Sequence, residues 1–339
     1  MKQSTYTKLL KDLQRLQKKL VSAYEAELRS SPMRMAWLTS RWHEAEVGGR
    51  VDDYLDVCAR RSAVQFILRT VYTRVLEDLG TLSPPRIRGQ WGFAAFKEIA
   101  PSLGIRGYLR WVFQDLAKDF PALFTTGPHE LPLPSEDLTR EVWDLWHRED
   151  GKGRLVFDWQ ADEAGPAAFE SAFLGNLYQD LDRDVRKRFA LLQTPPFVEE
   201  YILDHTLTPA LLEFDPASLR ERGETFRIID PTCGSGHFLI GAFHRLADWW
   251  EEQHGLDPWS AAKRALESVW GADINRHAVD IARFRLLLEV RSRTGESRLE
   301  LLASVPLNLA VMDTLIPWER LRNEPELFPE RDRLGHYAT

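Results

Sequence analysis

The sequence predicts an α/β protein with a mostly helical N-terminal domain, residues 1–160, followed by a domain built on a parallel sheet, residues 161–339. Helical spacing of apolar residues dominates the first part of the chain. In the second part, three short apolar runs each lead to an aspartate, and helix-like segments separate them, at 226–230, 269–273 and 308–313. Strands that alternate with helices favour parallel pairing. A chain of 339 residues is also long enough for two domains.

The N-terminal domain begins with a basic amphipathic pattern. Leu9, Leu13, Leu16 and Leu20 alternate steps of four and three among lysines and arginines, which predicts a helix or a short coiled coil. Its basic face is available to DNA or to a partner, but a solvent-facing surface over a helical domain is favoured. Residues 35–147 continue as predicted helices with aromatic core residues. Gly151–Pro166, rich in glycine, alanine and acid, is predicted to be the domain linker.

A glycine-containing segment follows the first predicted strand, and a helix-like stretch from Phe238 follows it. In this strand, turn and helix layout, a backbone wraps closely around a nucleotide-like ligand, and glycine permits both positive φ and close approach. A dinucleotide site would need a third glycine, and a P-loop would need lysine where His237 stands. Cys233 is interpreted as a small loop residue without a nucleophilic role. The segment therefore predicts a nucleotide-like ligand that carries no pyrophosphate.

The same segment resembles motif I of the amino-methyltransferases that methylate adenine in DNA. That resemblance implies S-adenosyl-L-methionine as the cofactor. It also implies that the whole segment contacts the cofactor, with the Asp230 carboxylate near the methionine ammonium group. The implied cofactor-binding residues are Asp230, Pro231, Thr232, Cys233, Gly234, Ser235 and Gly236.

Two further aspartates follow predicted strands. Asp273 ends the second strand, where an acidic side chain can accept both ribose hydroxyls, and Ile274 is assigned to the adenine ring. Asp273 could instead cap the next helix, but Asn275 is the better-placed cap, which favours the ribose contact. Asp313 follows the third strand and is assigned to the adenine amino group.

Upstream, the segment from Gln193 to Ile202 resembles motif X, which closes over the methionine moiety in these enzymes. Thr194 is predicted to cap a helix whose first residue is Pro195, because proline suits a position that needs no amide donor. Thr194, Pro195 and Phe197 are assigned to the cofactor. The other apolar positions recur at helical spacing and are predicted to be core.

Taken in order, these motifs are similar to the PglX family, the adenine-specific DNA methyltransferases of phage-growth-limitation and BREX antiphage systems, and the type 2 form fits best. The clear match covers about residues 170–315, including the runs Leu174–Gln179, Lys187–Pro195 and Ile281–Leu287. The resemblance implies that residues 161–339 are the first half of a Rossmann-like S-adenosylmethionine-dependent methyltransferase core, with motifs X, I, II and III. It implies double-stranded DNA as the substrate and other defence-system proteins as partners.

The tetrapeptide that holds a flipped adenine, Asn/Asp/Ser-Pro-Pro-Tyr/Phe, does not occur after Asp313. Thr194-Pro195-Pro196-Phe197 lies before motif I and has threonine in the polar place, and Ser83-Pro84-Pro85-Arg86 lacks the aromatic residue. We therefore assign no catalytic residue. With only three predicted strands, the first would leave an open edge. The chain is expected to be the N-terminal portion of a longer enzyme. It is a truncated gene product, a split protein completed by a second polypeptide, or an expressed fragment, and the sequence alone does not choose among these.

Composition supports this expectation. A net charge of −7 is unusual for a protein that grips phosphates by itself, so the DNA-contacting part is expected elsewhere. The two cysteines predict neither disulfides nor a metal site and suit the cytoplasm, and no apolar run approaches a membrane span. Two alternatives remain open. One is a non-catalytic module that binds S-adenosylmethionine or DNA in a defence complex. The other, a small-molecule methyltransferase, is disfavoured because motif X precedes motif I.

Overall fold

The computed structural model describes residues 3–44, 50–127, 130–159, 172–181, 194–221 and 226–315. The chain divides into two compact units. The first comprises Met1–Phe169 and Ser297–Leu299, and the second comprises Glu170–Glu296 and Glu300–Thr339. The predicted boundary between residues 160 and 161 lies outside the described residues, so it stays a prediction.

Described residues of the first unit form helices α1 to α7. Their bounds are Gln3–Arg29, Pro32–Glu44, Val51–Asp78, Trp91–Ile99, Ile105–Leu116, Pro121–Phe124 and Glu136–Trp146. The leucines at positions 9, 13, 16 and 20 of α1 are at most 3% exposed, whereas Lys8, Lys11 and Lys18 are exposed. The predicted amphipathic helix is therefore confirmed. Helix α3 is buried over most of its length and forms the centre of this unit.

Helix α3 carries charged side chains into that centre. The fully buried Arg74 donates through Nη2 to the Asp78 carboxylate at 2.8 and 3.0 Å. The Glu77 carboxylate accepts the backbone amides of Arg86, Ile87 and Arg88 at 2.6 to 2.7 Å. Buried charges persist only when they are paired and hydrogen-bonded. These contacts therefore fix the 86–88 segment against α3.

Residues 151–159 correct the prediction of a linker over Gly151–Pro166. Phe157 and Trp159 are 1% and 3% exposed, and both rings pack against Trp146. The Trp159 amide also donates to Asp78 Oδ2 at 3.1 Å. This half of the predicted linker therefore belongs to the first unit, because burial of two large aromatic rings outweighs a flexible composition. Residues 160–166 lie outside the described residues.

The second unit combines helices with a parallel sheet of three strands, which confirms the α/β class. Its described helices are α8 to α15, with bounds Ala172–Leu181, Pro196–His205, Leu207–Leu212, Pro216–Glu221, His237–His254, Pro258–Ser268, Arg276–Thr294 and Leu299–Ala303. The strands are β1 (Ile228–Asp230), β2 (Val269–Asp273) and β3 (Asn308–Val311). Across the described ranges, no helix is long and apolar enough to cross a membrane.

Strand β2 lies in the middle of the sheet. Asp230 of β1 pairs with Gly271, and Asp273 of β2 pairs with Val311 of β3. Val269 and Ala272 of β2 are at most 1% exposed, as expected for a strand covered by helices. Among the described residues no strand pairs with the other edge of β1, where Ile229 is 55% exposed.

Candidate functional site

The sheet brings aspartates together at one edge. Because the three strands are parallel, their carboxyl ends lie on the same side of the sheet. Asp230 and Asp273 are the last residues of β1 and β2, and Asp313 comes two residues after β3. Burial raises the pKa of the Asp230 carboxyl, a hydrogen bond from the Thr232 amide opposes this, and the charge of Asp273 raises it further. This carboxyl edge is therefore acidic.

Residues 230–236, here called the glycine loop, are held by backbone hydrogen bonds. The Thr232 amide donates to Asp230 Oδ1 at 3.0 Å, and the Cys233 amide donates to the Ala272 carbonyl at 2.8 Å. The Gly236 amide donates to the Cys233 carbonyl at 2.8 Å. The loop is thus closed on itself and attached to the end of β2.

Asp273 takes part in the same arrangement. Its Oδ2 accepts the Gly234 amide at 2.9 Å, and its Oδ1 accepts the Asn275 amide at 2.7 Å. A carboxylate offers about four acceptor positions, so two remain after these bonds. Asn275 is the N-cap of α14, and its side chain accepts the His277 amide at 3.1 Å. The prediction that Asn275 rather than Asp273 caps this helix is confirmed.

Gly236 occupies a position that other residues would strain. Its φ is +86°, and a Cβ placed there would lie 2.9 Å from Ala282 Cβ and 3.3 Å from Ala282 Cα. Both the left-handed backbone and the close approach of α14 favour glycine. Helix α12 starts at the next residue.

The remaining predicted residues of the loop edge differ in exposure. Ile274 is 47% exposed, Pro231 and Thr232 are exposed, and Cys233 is buried. Burial raises the pKa of the Cys233 thiol, which therefore stays protonated at neutral pH.

Thr314 Oγ1 donates to the Pro231 carbonyl at 3.1 Å and joins the segment after β3 to the glycine loop. Among the described residues, no group of three or more histidine, cysteine or acidic side chains is arranged to hold a metal ion.

The motif X residues lie at the start of α9, and two predictions about this helix are wrong. Pro195 is the N-cap and Pro196 is the first helical residue, so Thr194 does not cap it. Proline is tolerated at the first helical position, and here Pro196, not Pro195, occupies it. Tyr201 and Ile202, which were predicted to be core, are 63% and 40% exposed and are therefore not core. Phe197, which was assigned to the cofactor, is 71% exposed.

Helix α9 instead packs through its opposite face. Leu203 is its buried residue. Asp204 accepts Arg245 Nη2 of α12 at 2.7 Å. No hydrogen bond, ion pair or ring contact of the described residues joins Thr194, Pro195 or Phe197 to the glycine loop. The structure therefore places these three residues on a helix that contacts α12, and their assignment to the cofactor stays a prediction.

Two residues next to the glycine loop escaped the sequence interpretation. Arg285 of α14 is 3% exposed and donates through Nη1 to the Ser235 carbonyl at 2.7 Å. The sequence did contain a signal for Arg285, because it is a charged residue within an apolar helical stripe. Ile281 and Leu288, four residues before it and three after it, are both buried. The second is His237, whose Nε2 is buried and has no hydrogen-bond partner.

His237 gives a testable pH dependence. Burial and, to a smaller extent, the nearby Arg285 charge lower its pKa to about 4. Because an unfolded histidine has a pKa of about 6.5, the unfolded state binds more protons between these values, and stability falls as pH drops from about 6.5 to 4. We expect the loss of Tm between pH 7 and pH 5 to be smaller in His237→Gln, as measured by calorimetry. His254→Gln, at the exposed end of the same helix, is the control. An identical pH dependence in wild type and His237→Gln would contradict this explanation.

Comparison with known proteins finds similar sequences. No family model matches the chain. The adenine-specific methyltransferase PglX of Streptomyces coelicolor is 37% identical over 337 residues, which cover 91% of this chain and 27% of that protein. This chain is PglX-like. The resemblance inferred from the motifs is confirmed, and the PglX-like chain spans about a quarter of the length of that relative, given the 27% coverage.

Two more distant relatives match shorter stretches of the PglX-like chain. The adenine-specific methyltransferase BrxX of Escherichia coli O9:H4 is 29% identical over 149 residues, 42% of this chain and 12% of that protein. A PglX of Lacticaseibacillus casei is 32% identical over 79 residues, 23% of this chain and 6% of that protein. Each of these names describes a relative that extends well beyond the matched part.

Proposed function

We propose that this chain is the cofactor-binding portion of a site-specific DNA adenine N6-methyltransferase and that its carboxyl edge binds S-adenosyl-L-methionine. One observation carries the proposal: three aspartates lie at or just after the carboxyl ends of three adjacent parallel strands, next to a glycine loop that takes positive φ. Such an edge suits a ligand with a positive ammonium group, a sulfonium and two hydroxyl donors. A phosphate group would meet three carboxylates and would be repelled.

The residues at the edge fit the parts of that cofactor. Asp230 would face the ammonium group, Asp273 has acceptor positions left for ribose hydroxyls, and the exposed Ile274 offers an apolar surface for adenine. We assign Asp313 to the adenine amino group. When bound, the cofactor supplies an electrophilic methyl group. The described residues hold and orient the ligand, and the Cys233 thiol takes no part because burial raises its pKa.

The proposal also covers the rest of the enzyme, its substrate and its partners. Residues 161–339 would be the first half of a Rossmann-like core, and further sequence, in the same polypeptide or a second one, would supply the groups that hold a flipped adenine. The proposed substrate is double-stranded DNA, the proposed setting is bacterial antiphage defence in the cytoplasm, and other defence proteins are the proposed partners. The names of the PglX and BrxX relatives support this assignment.

Isothermal titration with S-adenosylmethionine tests the cofactor site. Asp273→Ala removes the acceptor for the Gly234 and Asn275 amides and for the proposed ribose contacts, so we expect the binding free energy to weaken by about 1–3 kcal/mol. Asp257→Ala is the matched control, because Asp257 accepts two amides as the N-cap of α13 and lies outside the carboxyl edge. Its cofactor affinity should match that of wild type.

The two possible failures are distinct. Unchanged affinity in Asp273→Ala would show that Asp273 does not contact the cofactor. A folded wild-type protein that binds no S-adenosylmethionine would overturn the proposed cofactor site as a whole. Circular dichroism on each variant separates loss of binding from loss of fold.

A further inference from the structure

Arg285 is a buried cation directly behind the glycine loop. It lies on α14, is 3% exposed, and its Nη1 lies 2.7 Å from the Ser235 carbonyl oxygen and 3.5 Å from Ser235 Oγ. Its Nε is also buried and has no acceptor among the described residues. An unsatisfied buried donor costs free energy, and well-packed apolar residues often stabilise such positions better than charges do. Stability alone therefore does not explain an arginine at this position.

Carboxylates on two helices, α14 and α9, act on the charge of Arg285. Burial lowers the pKa of Arg285 to about 10, while the carboxylates of Glu289 on α14 and Glu199 on α9 raise it. Arg285 therefore stays protonated at neutral pH. The Glu199 carboxylate is also close to α12, because a Cβ on Gly241 would collide with it. Arg285 thus sits among α14, the glycine loop and a carboxylate from the helix that carries the motif X residues.

The bond to Ser235 has a geometric consequence. In a trans peptide the carbonyl and the following N–H point in opposite directions. An Arg285 side chain that holds the Ser235 carbonyl toward α14 therefore turns the Gly236 N–H away from α14. The Gly236 amide does meet the Cys233 carbonyl at 2.8 Å. One buried guanidinium group thereby sets the orientation of the peptide that leads into the strained Gly236.

We propose that Arg285 is a positioning residue that fixes the Ser235–Gly236 peptide in the conformation that binds the ligand. Its effect on cofactor affinity rests on the function proposed above. Its effect on the order of the loop does not, so the two can be measured separately.

Amide hydrogen exchange over residues 230–240 tests the effect on the loop. We expect exchange in this segment to be at least about 10-fold faster in Arg285→Met, which corresponds to about 1.4 kcal/mol of local opening free energy. Arg285→Gln should behave similarly because its side chain ends two bonds short of Nη1. Arg285→Lys, which keeps the charge, should be intermediate. Arg293→Met is the matched control, because Arg293 joins α14 to Asp248 and Glu251 near the other end of α12.

Titration with S-adenosylmethionine gives the second readout. Affinity should fall at least about 10-fold in Arg285→Met, recover partly in Arg285→Lys and remain unchanged in Arg293→Met. Wild-type exchange of the segment in a folded Arg285→Met or Arg285→Gln protein would overturn the proposal. So would failure of both variants to fold, since Arg285 would then be a stability residue. A wild-type protein that does not bind the cofactor would defeat the proposed function, while the exchange data would still decide the role of Arg285.

Discussion

Gly236→Asp is expected to abolish S-adenosylmethionine binding. The position has a φ of +86°, and a Cβ there would lie 2.9 Å from Ala282 Cβ. A non-glycine residue in this conformation costs about 1–3 kcal/mol before any steric clash is counted. The new carboxylate would also add negative charge next to Asp230 and Asp273, whose charges already affect one another. Titration calorimetry should detect no heat of binding.

Gly255→Ala separates backbone strain from the effect on the site. Gly255 ends α12 with a φ of +63°, and no atom lies within 4 Å of a Cβ placed there. Alanine at this position should cost about 1 kcal/mol of unfolding free energy and leave cofactor affinity unchanged. Gly236→Asp protein that binds like wild type would rule out contact between the cofactor and the glycine loop.

The second large effect concerns catalysis. The 339-residue chain alone is expected to transfer no methyl group to DNA, because its sequence lacks the tetrapeptide that would hold a flipped adenine beside the methyl donor. Addition of the proposed remaining portion, in the same polypeptide or as a second chain, should restore formation of N6-methyladenine. The measurement is transfer of a tritiated methyl group to unmethylated genomic DNA.

The completed enzyme carrying Gly236→Asp is the negative control for that assay, and the completed enzyme carrying Gly255→Ala should remain active. Robust transfer by the 339-residue chain alone would contradict the proposal and would point to Thr194-Pro195-Pro196-Phe197 as a base-holding segment. Cofactor binding without transfer, even after the remaining portion is added, would favour a non-catalytic module of a defence complex.

The sheet was the most predictable part of the fold. Each strand is a short apolar run that stops at an aspartate or shortly before one, and helix-like segments separate the strands, so local patterns determine where each strand ends. The predicted strand at 269–273 coincides with β2, and the helix-like stretch predicted from Phe238 lies within His237–His254. The three aspartates meet because the strands are parallel, which alternation with helices already indicated.

Other features depend on packing that local patterns do not encode. Phe197, Tyr201 and Ile202 share helical spacing, but α9 packs on its other face, through Glu199 and Leu203 against α12. Gly151–Pro166 has the composition of a linker, yet Phe157 and Trp159 find a buried surface on Trp146. Arg285 has a partner in Ser235, which lies 50 residues earlier in the chain, so its role follows only from the tertiary structure.

The order of the strands has a consequence for how this unit forms. Spatial order follows chain order, β1-β2-β3, so each strand pairs with the next one to be synthesised. Topologies rich in such sequential pairings fold faster than those that need distant segments, and domains often begin to fold during synthesis. The glycine loop, its Asp273 acceptor and Arg285 all precede β3 in the chain, and β3 then adds to the free side of β2. We therefore expect the sheet and the proposed cofactor site to begin to form during synthesis, and S-adenosylmethionine to stabilise that early intermediate.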